Sequence, residues 1–521
     1  HKMATRGSFR ARVPCYRAGR QLARSARTPG LSTRAPRRLF VERPGQGWHP
    51  PSAVGTSETG ERDVDSVSGT STVEGEREAL EASTSPVGDG QLHGGEQLTQ
   101  APEGFQKRFL VVGMCFTAFL LCNMDRVNMS IAVLPMAEEF GWSQATMGFV
   151  QSSFFWGYLL TQVAGGVLAD RVGGKAVLGF GVVWWSVATM LTPIAAREGL
   201  PALLAARACM GVGEGVAMPA MNNILSRWVP GEERSRSLAL VYSGMFMGSV
   251  TGLALSPQII ERFEWPSVFF TFGSLGLVWF LVWQAVAASS PKDDARIRPQ
   301  ERDFILERVA VSKPNTEPIP WRKIFASTPV RAIVCCHFCH NWGTFILLTW
   351  MPTYYHDVLG MDLLETGYFS VLPWITMTIC ANGAGWLADT QLIPRLKVTK
   401  TRKVMQSVGF LGPAVCLSIL PSINSPTEAV GLLMISQGCD AFSHSGLYSN
   451  HQDIGPKWAG LLLGISNTAG VLAGVLGTAA TGFILENGSW DEVWRVAVGL
   501  YLLGSAIWLK FSTGEPQKEL C

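Results

Sequence analysis

Predominantly apolar stretches, each about 20 residues long, recur from Phe109 almost to the end of the sequence. A helix of that length crosses the roughly 30 Å hydrocarbon core of a bilayer. We number the predicted crossings spans 1 to 12. They cover residues 109–134, 146–169, 176–196, 200–227, 236–260, 266–288, 330–355, 364–388, 403–421, 429–450, 458–485 and 492–511. The sequence therefore predicts an all-α membrane protein with twelve transmembrane helices, surrounded by the lipid bilayer.

The composition also indicates a membrane protein. Charged residues make up 16% of the 521 positions, against about 25% in soluble domains. The formal net charge is only +3, which gives no sign of the basic surface that nucleic acid requires. We therefore expect neither a soluble multidomain enzyme nor a nucleic-acid partner.

Two polar segments precede the first span. Residues 1–50 hold eleven Arg and one Lys against the single acid Glu42, and they lack the apolar core of a secretory signal. An Arg-rich, acid-poor start is typical of an organelle transit peptide; a basic arm that touches anionic lipid or RNA is the alternative. Residues 51–104 are acidic and rich in Gly, Ser and Thr, so we expect a disordered linker.

The spans fall into two sets of six. Residues 105–288 form the predicted N-terminal half, 289–328 a central loop, 329–512 the C-terminal half and 513–521 a short tail. Basic residues concentrate in the loops on the side of the N-terminus, while the opposite loops are poor in base. The positive-inside rule then predicts that both termini face the cytosol, or the stroma in a plastid.

A short internal repeat indicates that the two sets are related. Residues 166–170 read GVLAD at the end of span 2, and residues 385–389 read GWLAD at the end of span 8. Two parallel halves of this kind build one large class of transporter, whose substrate binds near the midplane between them.

Span 1 carries two charges, Asp125 and Arg126, within an otherwise apolar helix. At a lipid-facing centre each would cost about 2.5–3.5 kcal/mol on insertion scales, so we expect both to face a polar interior. Asn123, Arg126 and Ser130 follow helical spacing and share one face. Arg126 is a candidate for substrate contact, Asp125 for a proton or ion, and a structural ion pair is the alternative for both.

Span 4 contains a polar stripe that includes Arg207, Gly211 and Glu214. An isolated Glu beside small residues inside a bilayer suits a proton carrier or a gate. The alternative is a permanent bridge between Arg207 and Glu214. Gly211, Gly213 and Gly215 would let a neighbouring helix approach closely.

Weaker candidates lie elsewhere in the spans. Asp440 in span 10 is an ion-coupling candidate because an acid inside a bilayer is costly, although hydrogen bonding alone would also explain it. Tyr242 in span 5, Tyr368 in span 8 and Asn467 in span 11 are candidate cavity residues. The Cys and His residues within 335–340 share a turn and a half of one helix, which cannot direct four ligands at one metal, so we expect no metal site.

The residues that end span 2 resemble a known signature. Residues 166–175, GVLADRVGGK, look like the motif that joins the second and third helices in the major facilitator superfamily. The resemblance implies the fold of that superfamily and a gating function for Gly166, Asp170, Arg171, Gly173 and Lys175. It also implies that Asp170 and Arg171 latch the pore on the side of the termini.

Parts of spans 1, 2 and 4, together with residues 450–456, resemble the anion:cation symporter branch of that superfamily. The branch includes vesicular glutamate carriers, lysosomal sialic acid carriers, bacterial sugar-acid carriers and plant plastid transporters of phosphate and ascorbate. The resemblance implies that Arg126 and Arg207 contact the anion and that Glu214 couples protons. Asp125 resembles the coupling acid of the sugar-acid carriers.

Two positions depart from the vesicular glutamate carriers. His340, beside Asn341, stands where those carriers have an arginine in span 7, and Gln151 stands where they have a histidine in span 2. The resemblance therefore disfavours glutamate. We expect His340 and Asn341 to bind the substrate of a plastid carrier instead.

The resemblance and the transit-like start together imply an ion-coupled secondary transporter in a plastid envelope or thylakoid membrane. Phosphate would reward clustered arginines, whereas aromatic and hydroxyl groups in spans 5, 7 and 8 slightly favour ascorbate, so both remain candidate substrates. The coupling ion is sodium or a proton, no other cofactor is expected, and we expect a monomer. The alternatives are a carrier of another organic anion in a different membrane and a non-transporting anion sensor.

Overall fold

The computed structural model describes residues 106–310 and 318–517. The predicted transit-like segment 1–50 and the predicted linker 51–104 lie outside the described residues, and the tail is described only as far as Gln517. The described parts of the chain are helical and contain no strand.

The first six spans are long helices joined by short turns. They run Lys107–Phe140, Gln144–Val172, Gly174–Glu198, Leu200–Trp228, Gly231–Phe263 and Pro266–Val286, with span 4 interrupted at Val216. Local sequence explains the tight joint between spans 1 and 2. Gly141 adopts a left-handed conformation with φ of 64° and ends span 1, and Ser143 caps span 2 by accepting a hydrogen bond from the Thr146 amide.

The second six spans repeat this arrangement. They run Thr328–Asp357, Leu363–Leu387, Ile393–Ile419, Pro426–Asp440, Ala459–Asn487 and Trp490–Phe511. Span 10 continues past Asp440 through a π-helical turn, His444–Tyr448, into the short helix Ser449–Ile454. The central loop adds two short helices, Pro299–Ala310 and Trp321–Ala326.

Within the described residues, nine helical segments are long and apolar enough to cross a membrane. One of them, Leu363–Ser422, holds both span 8 and span 9, which separate at Lys397, where φ is 65°. The remaining two crossings are span 2, which carries several polar residues, and span 10, which is broken after 15 helical residues. The all-α, twelve-helix prediction is confirmed.

Helix pairing is the same in the two halves, as the internal repeat predicts. Span 1 packs on span 5, span 2 on span 4 and span 3 on span 6; correspondingly, span 7 packs on span 11, span 8 on span 10 and span 9 on span 12. Between the halves, span 2 packs against span 11 and span 5 against span 8. These two contacts correspond to one another under the repeat, so the interface between the halves is itself pseudo-symmetric.

We call the side of the bundle where span 1 begins and span 12 ends the terminal side, and the opposite side the far side. On the far side, the carboxylate of Glu486 at the end of span 11 accepts hydrogen bonds at the start of span 2, from Ser143 Oγ at 2.9 Å and the Ala145 amide at 3.0 Å. Gln144 Nε2 donates to Asp357 of span 7 at 3.3 Å. These contacts hold the far side of the interface closed.

Polar contacts on the terminal side attach span 1 to span 5 and to the central loop. Arg108 forms a two-point ion pair with Glu233, and Glu301 accepts hydrogen bonds from the Lys107 and Arg108 amides at 3.0 and 2.9 Å. Lys107 also pairs with Asp294. Burial alone would raise the pKa of Asp294, but Lys107 and the backbone amide of Arg296 outweigh it and hold the pKa below its ordinary value.

Candidate functional site

A narrow pocket lies between the two halves, deep within the helices. Spans 1, 2 and 4 supply one wall and span 7 supplies the other. Its lining residues are Arg126, Met129, Ser130, Gln151, Phe154, Phe155, Arg207, Leu348 and Thr349. Both predicted substrate-binding arginines therefore face one cavity, and the side chains that oppose them are uncharged.

Arg126 forms an ion pair across two helices. Its Nη2 lies 2.8 Å and its Nε 3.3 Å from Oε2 of Glu214, which is fully buried in span 4. Cys122 Sγ donates to the same oxygen at 3.2 Å. The guanidinium also lies over the rings of Phe154 and Tyr158, each centroid 4.9 Å away. Cation–π contact and the carboxylate together fix the orientation of Arg126.

Arg207 is 2% exposed and has no comparable partner. Its Nη1 lies 3.1 Å from Met210 Sδ, and its guanidinium lies 5.6 Å from the centroid of the Phe154 ring. Among the residues that the structure describes, no carboxylate lies within ion-pair distance of Arg207, and its Nε has no hydrogen-bond partner. A buried cation that no carboxylate contacts directly is a ready binding group for an anion.

Close helix packing explains why both arginines reach the same ring. A Cβ added to Gly211 of span 4 would lie 2.0 Å from the backbone oxygen of Phe154 in span 2. Only a residue without a side chain permits that approach, which brings Phe154 between the two guanidinium groups. The prediction of close helix approach at Gly211 is therefore confirmed.

The ion pairs considered from the sequence are replaced by a different one. Asp125 does not pair with Arg126, and Arg207 does not bridge to Glu214; instead, Arg126 and Glu214 pair with one another. Asp125 is 1% exposed; the Trp185 side chain interacts with it, but neither carboxylate oxygen has a donor in good hydrogen-bond geometry in the described part of the chain. It is available to a proton or a cation.

In the C-terminal half, His340 and Asp440 come together from helices that are distant in sequence. His340 Nδ1 lies 3.1 Å from Asp440 Oδ1, and both side chains are buried. Asn341 Oδ1 accepts a hydrogen bond from the Tyr448 hydroxyl at 3.3 Å. These residues form a second polar cluster, separate from the lining of the pocket.

The other candidate cavity residues also lie apart from the two arginines. Tyr242 is half-buried in span 5, with its ring edge-on to Phe119. Tyr368 is 53% exposed near the far side and accepts a hydrogen bond from Gln258 of span 5 at 3.0 Å. Asn467 donates to Gln162 Oε1 at 2.8 Å, and this bond joins span 11 to span 2.

Of the two residues predicted to latch the terminal side, Asp170 contacts a neighbouring helix and Arg171 is exposed. Asp170 accepts a hydrogen bond from Asn223 Nδ2 of span 4 at 2.9 Å. Asn223 Oδ1 in turn accepts from the Gly174 amide at 3.1 Å.

The other predicted gating positions shape the turn between spans 2 and 3. Gly173 has φ of 99°, a conformation that L side chains rarely adopt. The carbonyl of Lys175 accepts a hydrogen bond from Trp283 Nε1 at 3.1 Å. Gly166 has room for a Cβ beside Pro219, 3.8 Å away, so its site is not sterically closed.

The sequence profile of the Major Facilitator Superfamily matches residues 114–478. The chain belongs to the Major Facilitator Superfamily. Because this superfamily consists of transporters, the expectation that the chain is not an enzyme is confirmed.

Close relatives of this superfamily member include named chloroplast proteins. The sodium-dependent phosphate transport protein 1, chloroplastic, of Arabidopsis thaliana is 66% identical over 413 residues, which cover 79% of this chain and 80% of the relative. The ascorbate transporter, chloroplastic, of the same plant is 64% identical over 411 residues, covering 79% and 76%. The probable anion transporter 4, chloroplastic, of Oryza sativa subsp. japonica is 65% identical over 415 residues, covering 80% and 70%.

Solved structures of distant superfamily members share the fold. A bacterial homologue of the human lysosomal transporter Spinster, inward-facing and occupied, aligns with a TM-score of 0.64 at 15% identity, covering 78% of this chain and 97% of that one. A D-xylose–proton symporter aligns with a TM-score of 0.64 at 16% identity, covering 78% and 99%.

The sequence predicts the two arginines that line the pocket but not the aromatic and span 7 residues that line it with them. The contact of Phe154 with both arginines has no counterpart among the sequence predictions. Phe154 and Tyr158 stand four residues apart in span 2, a spacing that places both rings on one face. That spacing, opposite an arginine in another span, is the signal that would have identified them. No comparable signal marks Leu348 and Thr349.

Proposed function

We propose that this chain is a secondary active transporter that moves a small anion across a plastid membrane, coupled to the movement of a cation. The observation that carries the proposal is the pocket between the halves, where Arg126 and Arg207 face uncharged residues of span 7. A carrier needs its binding groups at such an interface, because both sides of the membrane must reach them in turn.

The charges around the pocket provide a mechanism for coupling. If all four groups are ionised, Arg126 and Arg207 are balanced by Asp125 and Glu214, and an arriving anion meets little net attraction. A proton on Glu214 weakens its hold on Arg126 and leaves that guanidinium free to bind the anion. Protonation and anion binding then favour each other, which is the requirement for symport.

Sodium is the second candidate coupling ion, and Asp125 is the residue that supports it. Carboxylate oxygens suit a hard cation, and both oxygens of Asp125 lack hydrogen-bond partners within the described ranges. The similarity to a sodium-dependent phosphate transport protein also supports sodium, so a sodium gradient is imposed separately from a proton gradient in the transport assay.

Alternating access would come from rocking of the two halves. Opening of the far side must break the hydrogen bonds of Glu486 with Ser143 and Ala145, while spans 2 and 11 swing apart. The Asn467–Gln162 bond joins the same two spans nearer the terminal side. The binding pocket stays between these two regions, as alternating access requires.

The pocket favours a compact anion, and we propose inorganic phosphate as the first substrate to test. Two guanidinium groups on one ring reward a small, dense charge with several acceptor oxygens. Tyr242 and Tyr368, which suggested a ring-shaped substrate, do not line the pocket. Ascorbate remains the second candidate because Phe154 and Phe155 offer ring faces there.

The location of the carrier is a chloroplast membrane, in keeping with the named relatives. On this proposal the terminal side faces the stroma, since its loops carry the basic residues. We propose a monomeric carrier, because one chain supplies both walls of the pocket.

Reconstitution of the full chain into liposomes tests the proposed function. Uptake of labelled phosphate and of labelled ascorbate would be measured with sodium, proton and voltage gradients imposed one at a time. Arg207→Ala would be compared with Arg495→Ala, whose side chain is 77% exposed and is not among the residues that line the pocket. We expect saturable uptake of one anion that falls sharply at low substrate concentration in the first variant and is kept in the second.

Each result has a definite meaning. Uptake driven by a proton gradient supports Glu214 as the coupling residue, and uptake driven by sodium alone supports Asp125. Binding of an anion without flux would indicate the non-transporting sensor. Flux that is equal in both variants would remove Arg207 from the binding site.

A further inference from the structure

Four of the eight histidines in the sequence converge on one part of the C-terminal half. The rings of His337, His340 and His444 lie 4.9, 5.7 and 5.2 Å from the Tyr448 ring, between centroids. His451 lies one helical turn beyond Tyr448 and contacts its backbone. Buried titratable groups are rare inside membrane helices and are usually functional.

Two of these histidines share a single hydroxyl. His451 Nε2 lies 2.7 Å and His337 Nδ1 3.0 Å from Oγ of Ser466 in span 11. His337 belongs to span 7 and His451 to span 10, so the chain of hydrogen bonds connects three helices. All three side chains are at most 2% exposed.

The backbone fixes the direction of the hydrogen bonds. His451 Nδ1 lies 2.9 Å from the Tyr448 carbonyl, which can only accept, so this nitrogen carries a hydrogen. In neutral His451 the other nitrogen, Nε2, is then an acceptor for the Ser466 hydroxyl, which lies closer to Nε2, at 2.7 Å, than to its other acceptor, the Leu463 carbonyl, at 3.1 Å. Ser466 Oγ can in turn accept a hydrogen bond from Nδ1–H of His337. In this arrangement His337 donates to Ser466, and Ser466 donates to His451.

The hydrogen-bonded series His451–Ser466–His337 leads from the terminal side toward the middle of the bundle. His451 lies three residues before the end of span 10 at Ile454, about 5 Å along the axis. His337 lies nine residues into span 7, about 14 Å from its start, and His340 lies one turn deeper. Beside His340 stands Asp440, at 3.1 Å.

The helices around these three hydrogen-bonded residues contribute a short set of other titratable or charged groups. Span 7 supplies His340 and Cys339; span 10 supplies Asp440, His444, Tyr448 and Asp453; span 9 supplies Arg402, which pairs with Asp453 at 2.7 Å; and span 12 supplies Tyr501. Span 11 supplies the hydroxyl of Ser466, and span 5 of the other half places the Phe246 ring 6.2 Å from His444.

The geometry points to a proton relay, His337–Ser466–His451, that connects the terminal side of the membrane with the buried His340–Asp440 pair. The inference rests on the proposed function, which it deepens by assigning a proton path to the C-terminal half. The Arg126–Glu214 pair and Arg207, the charged side of the pocket, lie in the other half. The carrier would then take up protons through a route distinct from its anion site.

The transfer balances without any further reactant. Nε2 of His337 is buried without a partner among the described residues and would accept a proton from the His340–Asp440 pair, one helical turn deeper. His337 then gives its Nδ1 proton to Ser466, and Ser466 gives its own proton to Nε2 of His451. The positive charge moves from His337 to His451, and the reverse sequence returns it, while the heavy atoms stay in place.

The test uses the full-length protein in liposomes and two separate measurements. Anion exchange at equal pH on both sides measures binding and alternating access, and accumulation driven by a pH gradient measures proton coupling. Proton uptake is followed with a trapped pH dye. The variants are His337→Asn, Ser466→Ala and His451→Asn. The controls are Ser466→Thr, which keeps the hydroxyl, and His444→Asn, a half-buried member of the cluster outside the relay.

We expect the three relay variants to keep exchange and to lose both gradient-driven accumulation and dye-reported proton uptake. Ser466→Thr and His444→Asn should keep all three activities. Coupling that persists in Ser466→Ala overturns the relay, and so does loss of exchange together with coupling in all three variants, which would make the network structural. If the wild type exchanges the anion but takes up no protons, the relay is overturned while the carrier stands; absence of exchange by the wild type overturns both.

Discussion

Arg126 of span 1 and Glu214 of span 4 form a buried ion pair, with Nη2 of the guanidinium 2.8 Å from Oε2 of the carboxylate. The pair lies beside the pocket, so the same guanidinium that would bind an anion is held by an acid of the protein. Any anion that binds Arg126 must compete with Glu214. The protonation state of Glu214 therefore sets the charge that the anion meets.

Glu214→Gln should uncouple anion transport from the proton gradient. The amide cannot lose a proton, so Arg126 stays free, and exchange of the anion should persist with little dependence on pH. In the wild type, by contrast, anion affinity should rise as pH falls, because the protonated acid releases Arg126. Exchange assays across a pH series measure this difference. Glu261→Gln, an exposed position on span 5, is the control; a wild-type pH profile in Glu214→Gln would contradict the coupling.

Arg207→Ala should weaken anion binding more than it slows turnover. A hydrogen bond to a charged group contributes about 1.5–3 kcal/mol, which corresponds to a rise in KM of about 10- to 150-fold. Arg207→Lys should recover part of the affinity because it restores the charge without the planar fork. Initial uptake rates over a range of substrate concentrations give both parameters, and an unchanged KM in Arg207→Ala would rule out contact with the anion.

Gly211→Ala should destabilise the protein by about 1–3 kcal/mol, since the new methyl group forces spans 2 and 4 apart. The collision is with backbone, 2.0 Å from the Phe154 oxygen, and backbone cannot rotate away as a side chain can. Gly464→Ala is the matched control, because a Cβ there meets nothing within 4 Å. Alanine at this helical position should be neutral or stabilising by up to about 1 kcal/mol. Thermal unfolding in detergent compares the two; equal midpoints would argue against close packing at Gly211.

Glu486→Ala should shift the carrier toward a state open on the far side. The substitution removes the acceptor for Ser143 and Ala145 while leaving the pocket intact. Glu264 and Glu428 are exposed on the far side of opposite halves. Spin labels at these two positions would report the distance between the halves by double electron–electron resonance spectroscopy. We expect longer distances to become more populated. Glu138→Ala, exposed at the end of span 1, should leave the distribution unchanged.

The sequence was sufficient to locate the helices and the buried charges. Span 6 was predicted at 266–288 and runs Pro266–Val286, because apolar length alone identifies a crossing. Arg126, Arg207 and Glu214 are buried inside the protein because a lipid-facing charge is too costly.

The partners of those charges could not be read from the sequence. Arg207 and Glu214 share a face but stand seven residues apart, about 10.5 Å along the helix, which is too far for an ion pair. Asp125 and Arg126 are adjacent and therefore point about 100° apart around the helix axis. Helical periodicity gives the face of each residue, whereas the partner depends on which helix packs against that face. His340 and Asp440, a hundred positions apart, meet only because spans 7 and 10 converge.

The two walls of the pocket differ in a way that separates affinity from speed. Arg126 and Arg207 belong to one half, while the opposing half contributes Leu348 and Thr349, which carry no charge. A substrate can therefore stay bound to the N-terminal half alone while the C-terminal half moves relative to it. Substitutions of the two arginines should act mainly on KM, and substitutions at Leu348 or Thr349 mainly on kcat. Affinity and turnover of the carrier could therefore be altered independently, each through one half.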